Sequence, residues 1–360
     1  MQAFEIGINE AGQRLDKYLV KLMPSAPKSF IYKMLRKKNI VLNDKRVEGN
    51  EKTQMGDVVK LYLADDTIAQ MREVAGNVTR ENQTGNHAGS IEERKGMAAG
   101  AKVCPDAHET ALEVLYMDAH VMLVNKPQGI LSQKSAPSDI SMVEITNDYL
   151  LENGVITQEQ LKTFHPSVVN RLDRNTSGIL CVGISLPGSQ ALSELFRIRI
   201  MKKEYLCVVK GVLKRDMHLK GYLVKNHRTN QVEIFKEKPR KGEASYIETA
   251  FTPLSVSGGY TLLCVDLITG RSHQIRAHLA SIGHPIVGDA KYGDPQINRA
   301  VKKHYGITSQ CLHAWRMRFP ELSGALAGLS EQQITAPVPQ AFQKLLEGEH
   351  LSWQPGQEEG

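Results

Sequence analysis

Asn170-Arg171-Leu172-Asp173-Arg174-Asn175-Thr176-Ser177-Gly178 runs straight into Ile179-Leu180-Cys181-Val182. The first nine residues set one carboxylate between two arginines and end in a turn-forming Asn-Thr-Ser-Gly cluster. The last four read as a buried strand. A lone Asp flanked by arginines is more often a salt-bridged structural residue than a catalyst, because ion-pair networks perturb carboxylates as readily as active sites do. The rest of the sequence has to choose between the two.

Outward from that stretch, the 360 residues are enough for about two domains. No apolar run approaches the roughly 20 residues needed to span a bilayer, and Met1-Gln2-Ala3-Phe4-Glu5 carries no basic region followed by an apolar one, so a cytoplasmic location is expected. Five cysteines, Cys104, Cys181, Cys207, Cys264 and Cys311, are far apart and mostly embedded in strand-like runs. They read as buried, reduced thiols with no Cys-x-x-Cys pair. The net charge of +6 is concentrated. Between Gly12 and Tyr62 twelve Lys or Arg face five acids, so the remainder of the chain sums to −1. A compact basic segment of this kind is the footprint of a polyanion-binding module.

Within that segment, Leu15, Tyr18, Leu19 and Leu22, then Phe30, Ile31, Met34 and Leu35, recur at helical spacing. The second helix ends in Arg36-Lys37-Lys38, a tight reversal at Asn43-Asp44-Lys45 follows, and Gly56-Asp57 leads into the strand Val58 to Tyr62. From Ala64 to about His108 the periodicity fades into polar residues and glycines, which predicts a flexible linker. Order resumes at Leu112. Lys126 sits in a Pro/Gly turn where a phosphate is within its reach. Strands are expected at Lys202–Gly211, Ser245–Phe251 and Tyr260–Leu267, a hairpin around Arg228-Thr229-Asn230, a helix from Arg271 to Ala280, and a late strand around Cys311 to Phe319.

The chemistry narrows by elimination. His273 and His278 are five residues apart, off the shared helix face that an i, i+4 metal pair needs. There is no phosphate loop followed by Lys-Ser/Thr, no dinucleotide fingerprint and no nucleophile elbow. A glycosidase needs two carboxylates. A reaction in which a base leaves its sugar and returns needs only one, and uridine-to-pseudouridine isomerisation is such a reaction.

Two resemblances follow. Arg14-Leu15-Asp16-Lys17-Tyr18-Leu19, the basic helix end and the closing Gly56-Asp57 strand resemble the S4 RNA-binding domain, which implies that Lys33, Arg36, Lys37, Lys38, Lys45 and Arg46 grip RNA through its backbone and shape. Lys126-Pro127-x-Gly129, Arg171-Leu172-Asp173-Arg174-x-Thr176-Ser177-Gly178, Lys203-x-Tyr205, Arg271-x-His273-Gln274-Ile275-Arg276-x-His278 and Gly288-Asp289-x-x-Tyr292-Gly293, with the late Leu312-His313-Ala314, resemble the ordered motifs of the RluA family of RNA pseudouridine synthases. The family implies that Asp173 is the nucleophile or catalytic carboxylate, Arg276 its charge partner, and Tyr205 a ring beneath the uracil that helps remove the C5 proton. It also implies that Arg171 inserts where the flipped uridine was. Lys126 and Arg174 are expected to touch phosphate or support the fold. One departure is Asn170, where the family often has His.

The expected fold class is α+β: a catalytic domain over residues 109–348 with a mixed, largely antiparallel central sheet, an S4-like module over 12–63 and a linker over 64–108. The expected partner is RNA, ribosomal first and transfer RNA as the alternative, with no metal, no organic cofactor, no membrane, and a monomeric chain. A competing class is a ribosome-assembly RNA-binding protein without activity. A metal-dependent nuclease, the third, predicts loss of activity with a chelator.

Overall fold

The computed structural model describes residues 1–73, 112–226, 229, 231–240 and 243–353. The chain divides into two compact units, Met1–Ala111 and Leu112–Gly360. Most of the expected linker, Cys104 and the tip residues Arg228 and Asn230 of the expected hairpin lie outside the described residues.

In the first unit, β1 (Gln2–Glu5) precedes α1 (Leu15–Leu22), α2 (Lys28–Arg36), β2 (Ile40–Leu42), β3 (Val58–Leu61) and α3 (Asp65–Arg72). The strands form an antiparallel sheet in the order β1-β3-β2. The amphipathic helices bury Leu15, Tyr18, Leu19 and Leu22 from α1 and Ile31, Met34 and Leu35 from α2, while Phe30, also expected inside, is half-buried. Each such side chain contributes about 1.5–3 kcal/mol when fully buried. Asn43 and Asp44 turn the chain with φ of 51° and 61°, the geometry of a type I′ turn and one that Asn and Asp tolerate. The expected module is extended at both ends. β1 pairs with β3 ahead of residue 12, and α3 occupies the start of the expected linker because Ile68 is fully buried in the same core.

The second unit is built on one eleven-stranded sheet. Its strands are β4 (Val114–Met117), β5 (Val121–Lys126), β6 (Ser167–Val168), β7 (Ser177–Gly183), β8 (Lys202–Lys210), β9 (Met217–Asn226), β10 (Gln231–Phe235), β11 (Ala244–Ser257), β12 (Tyr260–Asp266), β13 (Leu312–Arg318) and β14 (Gln333–Thr335). The main path runs β10-β9-β11-β12-β8-β13-β7-β5-β4. Among the described strands only β7 and β13 pair in parallel, so the expected mixed, largely antiparallel sheet is the one present. Helices α4 (Met142–Glu152), α5 (Gln158–Leu161), α6 (Leu186–Ile198), α7 (Gln274–Ser281), α8 (Pro295–Tyr305) and α9 (Gln340–Gly348) complete the unit with a 3-10 turn at Gly324–Leu329.

β7 is buried along its whole length. Leu180 and Val182 enter the core that also takes α4, α7, α8 and α9, while Ile179 and Cys181 enter the one covered by α6 and the 3-10 turn. A strand buried on both faces explains the continuous apolar run in the sequence. At its start Gly178 has φ 109°, and a Cβ there would lie 2.2 Å from the Ala314 carbonyl oxygen. Glycine is therefore what lets β7 lie against β13. The four described cysteines are buried.

Candidate active site

The loop between β6 and β7 carries Asp173, and every side of it is pinned. Asn170 donates through Nδ2 to the Ile179 carbonyl and accepts from the Cys181 amide at 2.7 Å. The residue that departs from the family pattern thus has its amide committed to the backbone of β7. Ser132 Oγ accepts from the Leu172 amide and donates to the Leu172 carbonyl, both at 3.0 Å. The Thr176 amide closes the turn onto the Asp173 carbonyl at 3.0 Å. A loop tied by these five hydrogen bonds presents its carboxylate with little entropy left to lose on binding.

Asp173 Oδ2 accepts from Arg276 Nη1 at 2.8 Å. Arg276, in the first turn of α7, gives its other two edges to Asp289, Nε to Oδ2 at 2.6 Å and Nη2 to Oδ1 at 2.9 Å. One guanidinium therefore holds two carboxylates, and the fork geometry with Asp289 fixes its plane. Asp289 is fully buried. Burial alone would raise its pKa, but hydrogen bonds and charge from Arg276, with amides of Lys291 and Tyr292, hold it below the usual carboxylate value. For Arg276 burial opposes the charge, and the two carboxylates outweigh it and raise its pKa further.

Two hollows meet at Asp173. One, of about 450 Å³, is walled by Tyr205, Leu172, Phe196, Ile275 and Leu312, with Lys203 and Arg199 on its side. The other, of about 560 Å³, is lined by Lys134, Arg174, Lys225 and Lys291. Arg171, Asp173, His273 and Arg276 belong to both. Asp173 is the one carboxylate in either lining.

Three expectations change. Tyr205 lines the hollow from β8, yet burial, then Asp173 and Cys181, push its phenol far above the ordinary tyrosine value, the opposite of what a base requires. Its ring is placed to wall the site as a neutral phenol. Lys126 is not available to a phosphate. It is fully buried, and its ammonium donates to the carbonyls of Pro127, Ile130 and Arg174 at 2.7–2.9 Å. Burial draws its pKa down to about 7, with Asp173 pulling the other way. It is a fold-supporting residue that ties the Pro/Gly turn to the Asp173 loop. The helix expected from Arg271 starts at Gln274, because His273 takes a left-handed conformation and the Gln274 side chain instead accepts from the Arg271 amide and the Thr269 hydroxyl.

Arg171 and Arg174 are exposed, as are Lys33, Arg36, Lys37, Lys38, Lys45 and Arg46 in the first unit. Asp289 and His273 are the residues that the sequence left without a role. Asp289 fixes Arg276, and His273 Nε2 stands 3.9 Å from Asp173 Oδ2. His278 lies apart from both, on Thr249 Oγ1 at 3.0 Å.

Residues 120–281 match the family described as RNA pseudouridylate synthase. The Haemophilus ducreyi protein named ribosomal large subunit pseudouridine synthase C is 30% identical over 352 residues, covering 96% of this chain and 95% of its own. The chain belongs to the RNA pseudouridylate synthase family. The Escherichia coli K12 protein of the same name is also 30% identical, with 95% and 94% covered. Among solved structures, human RNA pseudouridylate synthase domain containing 4 shares the fold, with a TM-score of 0.53 and 21% identity over 67% of this chain and 94% of that one.

The Arg276 clamp gives a stability prediction. Asp289→Asn leaves a buried guanidinium short of its partner and is expected to cost about 3 kcal/mol at pH 7 by urea unfolding. Because the folded pKa of Asp289 is lowered, its contribution is full above the unfolded value of about 4 and is lost as pH falls through the folded value. The gap between wild type and variant should therefore narrow in acid. An equal gap at pH 7 and pH 3 would contradict the pairing.

Proposed function

We propose that this chain isomerises uridine to pseudouridine in large-subunit ribosomal RNA. The observation that carries the reading is a single, clamped carboxylate at the junction of a Tyr205-walled hollow and a hollow lined by Lys134, Arg174, Lys225 and Lys291. The names of the relatives support the choice of RNA.

In this reading the target uridine flips out of its stack, at a cost of a few kcal/mol that is least in a loop. The base enters the hollow beside Tyr205, and the neighbouring phosphates lie along Lys134, Arg174, Lys225 and Lys291. Arg171, exposed and shared by both hollows, fills the gap the uridine leaves. Asp173 assists at C1′ while the N1–C1′ bond breaks. The base rotates in place, the C5–C1′ bond forms, the C5 proton is lost and N1 gains one, so that nothing is added to the product. No step requires a metal or an organic cofactor.

The first unit is the RNA anchor in this reading, an S4-like module extended by β1 and α3. The six basic residues expected to grip RNA, all exposed, lie at the end of α2 and around the Asn43-Asp44 turn. Lys and Arg placed in this way read phosphates with little sequence information.

Two measurements test these points. Wild type should release tritium from C5-labelled, unmodified large-subunit ribosomal RNA. Asp173→Asn should release none, yet bind that RNA within about twofold of wild type, and release by the variant would remove Asp173 from the chemistry. Replacing Lys33, Arg36, Lys37, Lys38, Lys45 and Arg46 by Ala should weaken binding and flatten the plot of log affinity against log salt, by about 0.7–0.9 for each phosphate no longer neutralised. An unchanged slope would exclude the module as anchor.

A further inference from the structure

His273 precedes α7 with φ 55° and ψ 14°. A side-chain-bearing residue rarely takes this left-handed conformation, and it persists where surrounding contacts hold it. Here the holder is Tyr292. The two rings meet edge to face at 5.7 Å between centroids, and Tyr292 Oη lies 3.0 Å from His273 Nδ1.

The direction of that hydrogen bond can be assigned. The Val232 amide, which can only donate, gives its hydrogen to Tyr292 Oη at 2.9 Å. The phenol then has its own hydrogen to place, and His273 Nδ1 is the acceptor in reach. A neutral imidazole that accepts at Nδ1 carries its hydrogen at Nε2. Burial, reinforced by Arg276 and Lys291 against Asp173 and Asp289, lowers the His273 pKa and favours the neutral ring.

Nε2 is the atom that faces Asp173, 3.9 Å from Oδ2. Oδ2 is also the oxygen that Arg276 holds. A carboxylate gripped at one oxygen by one N–H can still swing, whereas a second donor from another direction stops it. Hydrogen bonds of this kind are often long before substrate binds and tighten in the complex.

We propose that His273 is a positioning residue for the reaction. Its Nε2–H, set by the Val232–Tyr292 relay, closes on Asp173 Oδ2 beside Arg276 and leaves Oδ1 as the oxygen presented to the ribose. This rests on Asp173 being the reacting carboxylate.

The test uses the full chain with ring-¹⁵N-labelled histidine. The His273 signals, identified by their loss in His273→Gln, should report the Nε2–H tautomer in wild type and move towards Nδ1–H in Tyr292→Phe. That variant keeps the ring 5.3 Å from the Arg276 guanidinium and removes only the hydroxyl. In single-turnover isomerisation of unmodified ribosomal RNA, His273→Leu and Tyr292→Phe should be slower by about tenfold or more, the scale of a lost hydrogen bond to a charged group. RNA affinity should stay within about twofold. His273→Gln, whose amide N–H reaches the place of Nε2–H, should recover most of the rate, which a purely structural role would not allow. An Nδ1–H tautomer in wild type overturns the relay. So does a full rate in both His273→Leu and Tyr292→Phe while Asp173→Asn is inert. Activity retained by Asp173→Asn overturns the reading on which the relay stands.

Discussion

The Arg276 guanidinium is the interaction on which the second unit's site depends. Three segments end at it: the Asp173 loop, about a hundred residues away, the first turn of α7, and the Gly288–Gly293 turn that supplies Asp289. Burying a charge costs several kcal/mol unless it is paired and hydrogen-bonded. Two carboxylates around one guanidinium more than balance its charge, and of the two it is Asp173 that opens to the hollows, while Asp289 lies in neither lining. Asp289, fully buried, spends both oxygens on Arg276 and on the amides of Lys291 and Tyr292. The structural carboxylate and the one proposed to react are thus separated by burial and by what remains for each to bind.

The same division of labour explains Lys126. Motif spacing alone suggests a cation for a phosphate, but an ammonium surrounded by three carbonyls has no hydrogen left to give. Its effect on the site is indirect: by holding the Arg174 carbonyl it fixes the residue next to Asp173. Asn170 acts likewise from the other side of the loop. RNA arrives with many conformations, and a site whose carboxylate is already held loses less freedom when the strand docks.

Much of this was legible from sequence because it is local. The apolar run after Gly178, the helical periodicity of residues 14–22 and 29–38, and the ordered motifs each lie within a dozen residues. What escaped is set by partners far along the chain. β1 exists because residues 2–5 find an open edge on β3, nearly sixty residues on. α3 is tied to the first core chiefly through Ile68, a weak signal in a polar stretch. The helix expected over residues 271–280 includes His273, whereas the backbone there is left-handed and the ring meets Tyr292, nineteen residues on. The places of Asp289 on Arg276 and of His273 near Asp173 were hidden for the same reason. Nothing in a thirteen-residue spacing from Arg276 announces a forked ion pair, and Tyr205 reveals its unsuitability as a base only once its burial is known.

The clamp is tested most directly by a double-mutant cycle on the single-turnover rate of isomerisation, with Arg276→Lys, Asp289→Asn and the two together. If Asp289 acts by fixing the plane of Arg276, each single change loses most of the benefit and the double variant is little slower than the worse single one, a coupling of about 1 kcal/mol or more. Effects that simply add would mean that Asp289 and Arg276 serve the reaction separately, and that the clamp does not place Asp173.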